Sequence, residues 1–173
     1  DDIWIQPAAG DAGSALGAAL YTWHEVVGAS RTPNPLDGMH GAFLGPSFPP
    51  EDVEAWLQEE GIPHEVVADD DERAAQVAAD LEEGLVVGWY TDRMEFGPRA
   101  LGNRSIIGDA RNPKMQADMN IKIKFREGFR PFAPSVLRER VHEYFELDGD
   151  SPYMLLVAPV KKERQIPMSE KHS

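Results

Sequence analysis

The sequence predicts an α/β (α+β) chain. Three observations point there. Between residues 50 and 90, segments with apolar residues at helical spacing alternate with short apolar runs of β-formers. Glycine and proline fall mostly at the joins between segments. A composition of 42% hydrophobic and 27% charged residues over 173 positions is that of a globular chain, long enough for one domain or one domain with part of another.

Taken in order, Ile3-Trp4-Ile5 is a strand candidate, followed by a glycine-rich turn at Gly10 to Gly13. Ala15, Leu16, Ala19, Leu20, Trp23, Val26 and Val27 then recur at helical spacing, with Asp11 or Ser14 placed to cap that helix. A turn of small residues opening on a helix is where phosphates and cations are often held, but it is equally a plain tight turn. Gly28 to Pro50 holds five prolines before the next helix, counting Pro50, and reads as a connector with a unit boundary near residue 45.

Pro50 opens a helix through Glu60 that Gly61 ends. His64 to Val67 reads as a strand. Asp69, Asp70 and Asp71 precede a second helix that turns Ala74, Val77, Ala78 and Leu81 inward and closes at Gly84. Leu85 to Tyr90 is a buried-strand run, and Ser105 to Gly108 another strand after a loop. Pro113 starts a helix to about Asn120. Residues 120–126 fit either that helix continued or a period-two strand. Phe129 to Leu137 reads as a proline-broken edge strand, Leu137 to Phe145 as a helix, and Tyr153 to Val160 as a strand.

Charge is distributed unevenly. The stretch Arg93 to Phe132 carries nine of the 17 Lys and Arg residues against four carboxylates, net +5, so the rest of the chain carries −18 of the total −13. Converging cations in an acidic chain are the shape of an anion site, and a solvated basic face is the plain alternative. The acidic remainder makes nucleic acid an unlikely partner. No run is apolar enough to span a bilayer, so no membrane partner is expected. The absence of cysteine rules out disulfides and thiolate chemistry and fits a cytoplasmic location. The chain opens at Asp1 on an apolar run and closes on a polar stretch, which reads as a piece of a longer protein. Oligomeric state is not legible.

Within the island, Arg99, Arg104, Lys124, Arg126 and Arg130 are the candidate anion contacts, with Ser105 as a hydroxyl donor beside them. Arginine grips phosphate by two parallel hydrogen bonds, and lysine sets a point charge at a developing negative centre. Gly97 and Gly102 would let the backbone approach a ligand, and Pro98 stiffens that approach. Glu95 reads as a residue that orients Arg93 and Arg99 rather than as a base. Phe129 and Phe132 read as core rather than as a nucleobase platform. Such equipment suits a nucleoside triphosphate or an acyl phosphate. No P-loop, dinucleotide fingerprint or zinc motif occurs.

Met94 to Ile107 (MEFGPRALGNRSII) and Asn120 to Val136 (NIKIKFREGFRPFAPSV) strongly resemble the C-terminal region of NodU/CmcH-type O-carbamoyltransferases. Ile3 to Ala19 (IWIQPAAGDAGSALGAA) resembles the segment just upstream in that family. The resemblance implies that residues 1–45 are the end of an actin-like, threonylcarbamoyl-transferase-like domain with its linker. It implies that residues 46–173 form a YrdC-like carbamoyltransferase domain, a mixed sheet with flanking helices, truncated before the family's Asn-Thr-Ser-Phe-Asn segment, so that the fragment alone is expected to be incomplete.

It further implies ATP and carbamoyl phosphate as ligands, a carbamoyl adenylate intermediate, a small-molecule hydroxyl acceptor, and a divalent metal (Fe, Mn or Mg) in the full-length enzyme. By motif, Asp11 matches the aspartate of the metal site, and Arg99, Lys124 and Arg130 match the catalytic cations that contact carbamoyl phosphate and nucleotide. Arg104, Ser105 and Arg126 are their expected neighbours. Three other readings stay open: a non-catalytic nucleotide- or RNA-binding module, a threonylcarbamoyl-type tRNA-modifying enzyme, and a structural domain whose basic loop pairs with its acidic surface.

Overall fold

The computed structural model describes residues 5–33 and 36–166 of the chain. They fall into two compact units, the first ending at Phe132 and the second beginning at Ala133. Helices and a small sheet occur together, as the composition and periodicity require for an α/β chain. The predicted strand at Ile3 to Ile5 lies outside the described residues except for Ile5, which is irregular and exposed.

Helix α1 runs Asp11–Tyr21 and passes into a π-helical turn at Thr22–Val26. Neither Asp11 nor Ser14 caps it, contrary to expectation. The helix begins one residue after Gly10, so Asp11 is already inside the first turn, and the Ser14 hydroxyl donates to the Gly10 carbonyl at 2.9 Å. Backbone bonds from Gly13 to the Ala8 carbonyl and from Ser14 to the Gly10 carbonyl, both 2.8 Å, wind the preceding turn onto the helix.

Helix α2 (Pro50–Glu59) begins at a proline, whose missing N–H would have no partner in the first turn anyway. It stops at Gly61, where φ is +65°. The Gly61 N–H bonds the Gln58 carbonyl and the Ile62 N–H bonds the Leu57 carbonyl. Helix α3 (Asp70–Glu82) is capped by Asp69, whose carboxylate accepts from the Glu72 N–H at 2.8 Å. Only Val77 and Leu81 of its expected inward face are half-buried, and Ala74 and Ala78 are exposed.

The described residues form one two-stranded antiparallel sheet, β1 (Val87–Tyr90) with β2 (Arg104–Ile107), in the register Val87 to Ile107 and Tyr90 to Arg104. The ladder continues one residue further through the Thr91 N–H on the Asn103 carbonyl at 3.0 Å. The proline-rich connector is pinned to the exit of β1 rather than trailing free. Gly45 N–H donates to the Met94 carbonyl, Met94 N–H to the Pro46 carbonyl and Phe96 N–H to the Ala42 carbonyl.

Helix α4 (Met115–Asp118) leads into a second π-helical turn at Met119–Ile123, which settles the split reading of residues 120–126 as helical to Ile123. Met115 and Met119 are buried and face Gly108 at the end of β2, where an added Cβ would lie 2.6 Å from the Met115 sulfur. Ala8, Ala42, Glu95 and Asn120 are the other buried residues among those described in this unit.

Three predicted strands are absent among the described residues. His64 to Val67 is irregular, with the His64 ring bonded to the Ile62 carbonyl at 2.8 Å. Phe129 to Leu137 is irregular too, since Pro131 and Pro134 offer no N–H to a ladder. Tyr153 to Val160 contributes a single bridge, Val160 to Phe145, flanked by bonds from Glu146 to the Pro159 carbonyl and from Lys161 to the Tyr144 carbonyl. A strand needs an edge to pair with, and an apolar run does not supply its own.

The second unit keeps the predicted helical stretch as a 3₁₀ turn, Arg138–Arg140, followed by α5 (Val141–Tyr144). A bidentate Arg138–Asp150 pair ties the turn to the loop that follows α5.

Candidate anion site on the basic loop

The loop from Glu95 to Arg104 leaves β1 and returns as β2. Its shape is set by two charged side chains bonded to backbone. Glu95 is 5% exposed, and its Oε1 accepts from the N–H groups of Leu101 (2.7 Å), Asn103 (2.9 Å) and Arg104 (3.2 Å). Arg104 does the complementary task. Its guanidinium donates to the carbonyls of Thr91, Asn103 and Asp92 and lies 3.5 Å from the centre of the Tyr90 ring, its cross-strand partner. The Asn103 side chain closes the loop on the Arg93 carbonyl at 2.7 Å. A carboxylate gathers the donors and a guanidinium gathers the acceptors.

Glu95 therefore orients the loop backbone rather than the side chains of Arg93 and Arg99, a correction to the expectation from sequence. Gly97 is also used differently from expected. With φ at +119°, it turns toward Ala8, whose Cβ would lie 2.9 Å from an added Cβ. The freedom of Gly97 thus serves packing against the turn before α1. Gly102, at φ +121°, faces open space. Ser105 is half-buried, and its hydroxyl oxygen accepts from the Gly102 N–H at 3.1 Å.

Burial pushes the Glu95 carboxyl up, but the backbone N–H groups of Leu101, Asn103, Glu95 itself and Arg104 outweigh it and hold the group below its ordinary value of about 4.5. A lowered pKa means that these bonds contribute fully above pH 4.5, and the contribution fades as the pH falls through the folded value. The amide resonances of Leu101, Asn103 and Arg104 are expected to stay flat through neutral pH and to move together only below about pH 4.5. A common transition near neutrality would contradict this account of the loop.

The second group of cations follows α4. The chain leaves the π turn through Phe125 in left-handed backbone, φ +49°, and the Arg126 N–H returns to the Asn120 carbonyl at 3.0 Å. Asn120 is fully buried and holds this segment. Its amide donates to the carbonyls of Gly128 (3.3 Å) and Arg130 (2.8 Å), and its oxygen accepts from Arg126 Nε at 2.6 Å. Gln116, one turn earlier, donates to the Phe129 and Arg130 carbonyls. Arg126 also lies over the half-buried Phe132 ring at 4.9 Å. Phe129 is 80% exposed, so the expectation that it is core is wrong; the turn at 128–130 carries it outward.

The nine cations of the island thus divide by what they touch. Arg93 donates to the Gly45 carbonyl, and Arg104 and Arg126 brace backbone and rings. Arg111 pairs with Asp109, Lys122 with Asp118 and Arg130 with Glu127. The Arg130–Glu127 pair is about half exposed on both sides, where an ion pair contributes little to stability. Arg99, Lys114 and Lys124 have no side-chain partner among the described residues, and all three are exposed. Two of these three, Arg99 and Lys124, are sequence-predicted catalytic residues. Arg104 and Arg126 were expected as anion contacts, and their guanidiniums are largely engaged within the chain.

The candidates sit on two segments, 96–105 and 124–130, with no hydrogen bond or ion pair between the two sets of side chains among the described residues. Two clefts form elsewhere. One, of about 520 Å³, is lined by Phe48, Asp52, Val53, Trp56 and Tyr90, and the other, of about 410 Å³, lies in the second unit around Arg138 and Asp150. Asp11 is exposed at the start of α1, and no group of three or more His, Cys, Asp or Glu suited to a metal occurs among the described residues. A single carboxylate is too small a donor set to hold a divalent ion by itself. No helix among the described residues is long and apolar enough to cross a membrane.

Glu95 and Asn120 are the two residues that organise the site and that sequence reasoning misplaced or missed. A carboxylate inside a basic, glycine-bearing loop was the available signal for the first. Nothing in the sequence marks Asn120.

A family model described as "Carbamoyltransferase C-terminus" matches residues 78–172. Among curated proteins, the chain is 54% identical over 171 residues to an uncharacterised protein of Synechocystis, covering 97% of this chain and 28% of that protein. It is 41% identical over 170 residues to nodulation protein NolO of Bradyrhizobium diazoefficiens, covering 94% and 29% respectively. It is 32% identical over 162 residues to the 3′-hydroxymethylcephem-O-carbamoyltransferase of Streptomyces clavuligerus, covering 93% and 28%. The chain spans less than a third of the length of these relatives.

Proposed function

The chain belongs to the carbamoyltransferase C-terminus family, and from that premise we propose that it supplies the carbamoyl-activating part of an O-carbamoyltransferase. The observation that carries this reading is the pair of exposed cations, Arg99 and Lys124, that have no partner among the described residues and sit on segments held by Glu95, Arg104 and Asn120. A charged donor without an internal partner, mounted on fixed backbone, is a ready contact for an anionic ligand. Arg130 joins them by exchanging Glu127 for ligand phosphate. Lys114 lies on the same island and adds positive field.

The reaction proposed has two steps at this site. Carbamoyl phosphate is cleaved by water to carbamate and inorganic phosphate. The carbamate oxygen then attacks the α-phosphorus of ATP, forming carbamoyl adenylate as the bond to pyrophosphate breaks. Arg99, Lys124 and Arg130 offset the repulsion between the two anionic substrates and hold the carbamate in line with the α-phosphate. A substrate hydroxyl then takes the carbamoyl group and AMP leaves. That acceptor is a small molecule, by analogy with the cephem named for the Streptomyces relative. Residues 1–45 are proposed to belong to the transferring domain and the remainder to the activating one.

Titration calorimetry of the chain and of the intact enzyme against ATP, carbamoyl phosphate and RNA, each separately, tests the reading. Saturable heats with the two phosphorylated ligands are expected. Binding to RNA alone, with steep salt dependence, would replace it by a nucleic-acid-binding role.

A further inference from the structure

The loop at 96–104 has the outward form of a phosphate-binding nest: glycines, a helix-free turn and several N–H groups converging on one point. The anion at that point is already supplied by the chain. Glu95 Oε1 takes the N–H groups of Leu101, Asn103 and Arg104, and the Ser105 hydroxyl takes that of Gly102. The four consecutive N–H groups of residues 101–104 are therefore all committed before any ligand arrives. Glu95 is 5% exposed, while Arg99 is exposed and its guanidinium has no partner among the described residues.

We propose that Glu95 is a positioning residue, an internal anion that fills the loop's own nest so that ligand phosphate is met by the Arg99 side chain and not by loop amides. This rests on the carbamoyl-activating reading for what the ligand is, though not for how the loop is held. The buried carboxylate fixes the turn in the absence of substrate, so little ordering remains to be done on binding. Removing the carboxylate would free three N–H groups and leave a space shaped for a small anion.

The test uses three variants of the intact enzyme: Glu95→Ala, Glu95→Gln and Arg99→Ala. Carbamoyl-phosphate-dependent exchange of pyrophosphate into ATP is measured with and without added formate. Glu95→Ala is expected to lose at least tenfold in kcat/KM for carbamoyl phosphate, and formate is expected to recover a measurable part of that loss. Glu95→Gln keeps an accepting oxygen and is expected to fall between Glu95→Ala and the parent. Formate should do nothing for Arg99→Ala.

If Arg99→Ala retains full exchange, the activating-site reading fails. If Arg99→Ala is impaired while a folded Glu95→Ala is not, the positioning role alone fails. Should Glu95→Ala not fold, the amides of Leu101, Asn103 and Arg104 in the parent chain decide the matter by hydrogen exchange. Slow exchange without ligand supports the internal anion, and free exchange that slows only with added phosphate overturns it.

Discussion

Replacing Arg99 by alanine is expected to lower carbamoyl-phosphate-dependent pyrophosphate exchange by roughly 10²- to 10³-fold, while leaving the melting temperature unchanged. Both halves of that expectation come from one observation. The Arg99 guanidinium is exposed and has no internal hydrogen bond or ion pair among the described residues, so its removal breaks nothing that holds the fold. On the proposed reading, its contribution is made to a ligand. The contrast is Arg104, whose donors reach the carbonyls of Thr91, Asn103 and Asp92 and whose plane rests on Tyr90. Loss of Arg104 should unsettle the loop and lower stability with activity, so the two arginines separate a ligand contact from a brace. Equal losses of stability in both would contradict the distinction.

Asn120→Leu is expected to behave in the opposite way, costing about 2–3 kcal/mol of stability by leaving polar partners of a fully buried amide unsatisfied. Leucine is close in volume but neither donates to the Gly128 and Arg130 carbonyls nor accepts from Arg126 Nε. Gln116 still donates to the Arg130 carbonyl, which keeps the loss below that of a wholly orphaned segment. Urea denaturation of the chain reads the change directly as a lower midpoint. A midpoint within the error of the parent would show that segment 126–130 is held by something other than Asn120. Activity should fall as well, because Lys124 and Arg130 lie on the turn that Asn120 fixes.

What was legible in the sequence was local. Pro50 at a helix start, Asp69 at a cap and Gly61 at a stop are decided within a few residues, and helices α2 and α3 fall where those signals place them. The runs that became β1 and β2 were legible for the same reason, and because each had the other as a partner. The runs at 64–67, 129–137 and 153–160 carry comparable apolar content, yet pairing is a property of two distant segments and no sequence window contains it.

The site divides along the same line. The cations and the glycines were visible as residue types. That Arg104 points into its own backbone while Arg99 does not depends on the register of Tyr90 against Arg104, which the sequence leaves unstated. Glu95 was visible as an odd charge in a basic loop, but the three N–H groups it collects come from residues six to nine positions later. Gly97 looked like an opening for a ligand, and only the fold shows Ala8 there instead.

Pyrophosphate exchange by the intact enzyme, with the double variant Arg99→Ala/Lys124→Ala beside the parent, bears most directly on the anion site. The parent should exchange pyrophosphate into ATP only when carbamoyl phosphate is supplied, and the double variant should lose that exchange while keeping its circular dichroism and melting temperature. Exchange that proceeds equally without carbamoyl phosphate, or that survives undiminished in the double variant, would contradict the assignment of these cations to carbamoyl activation.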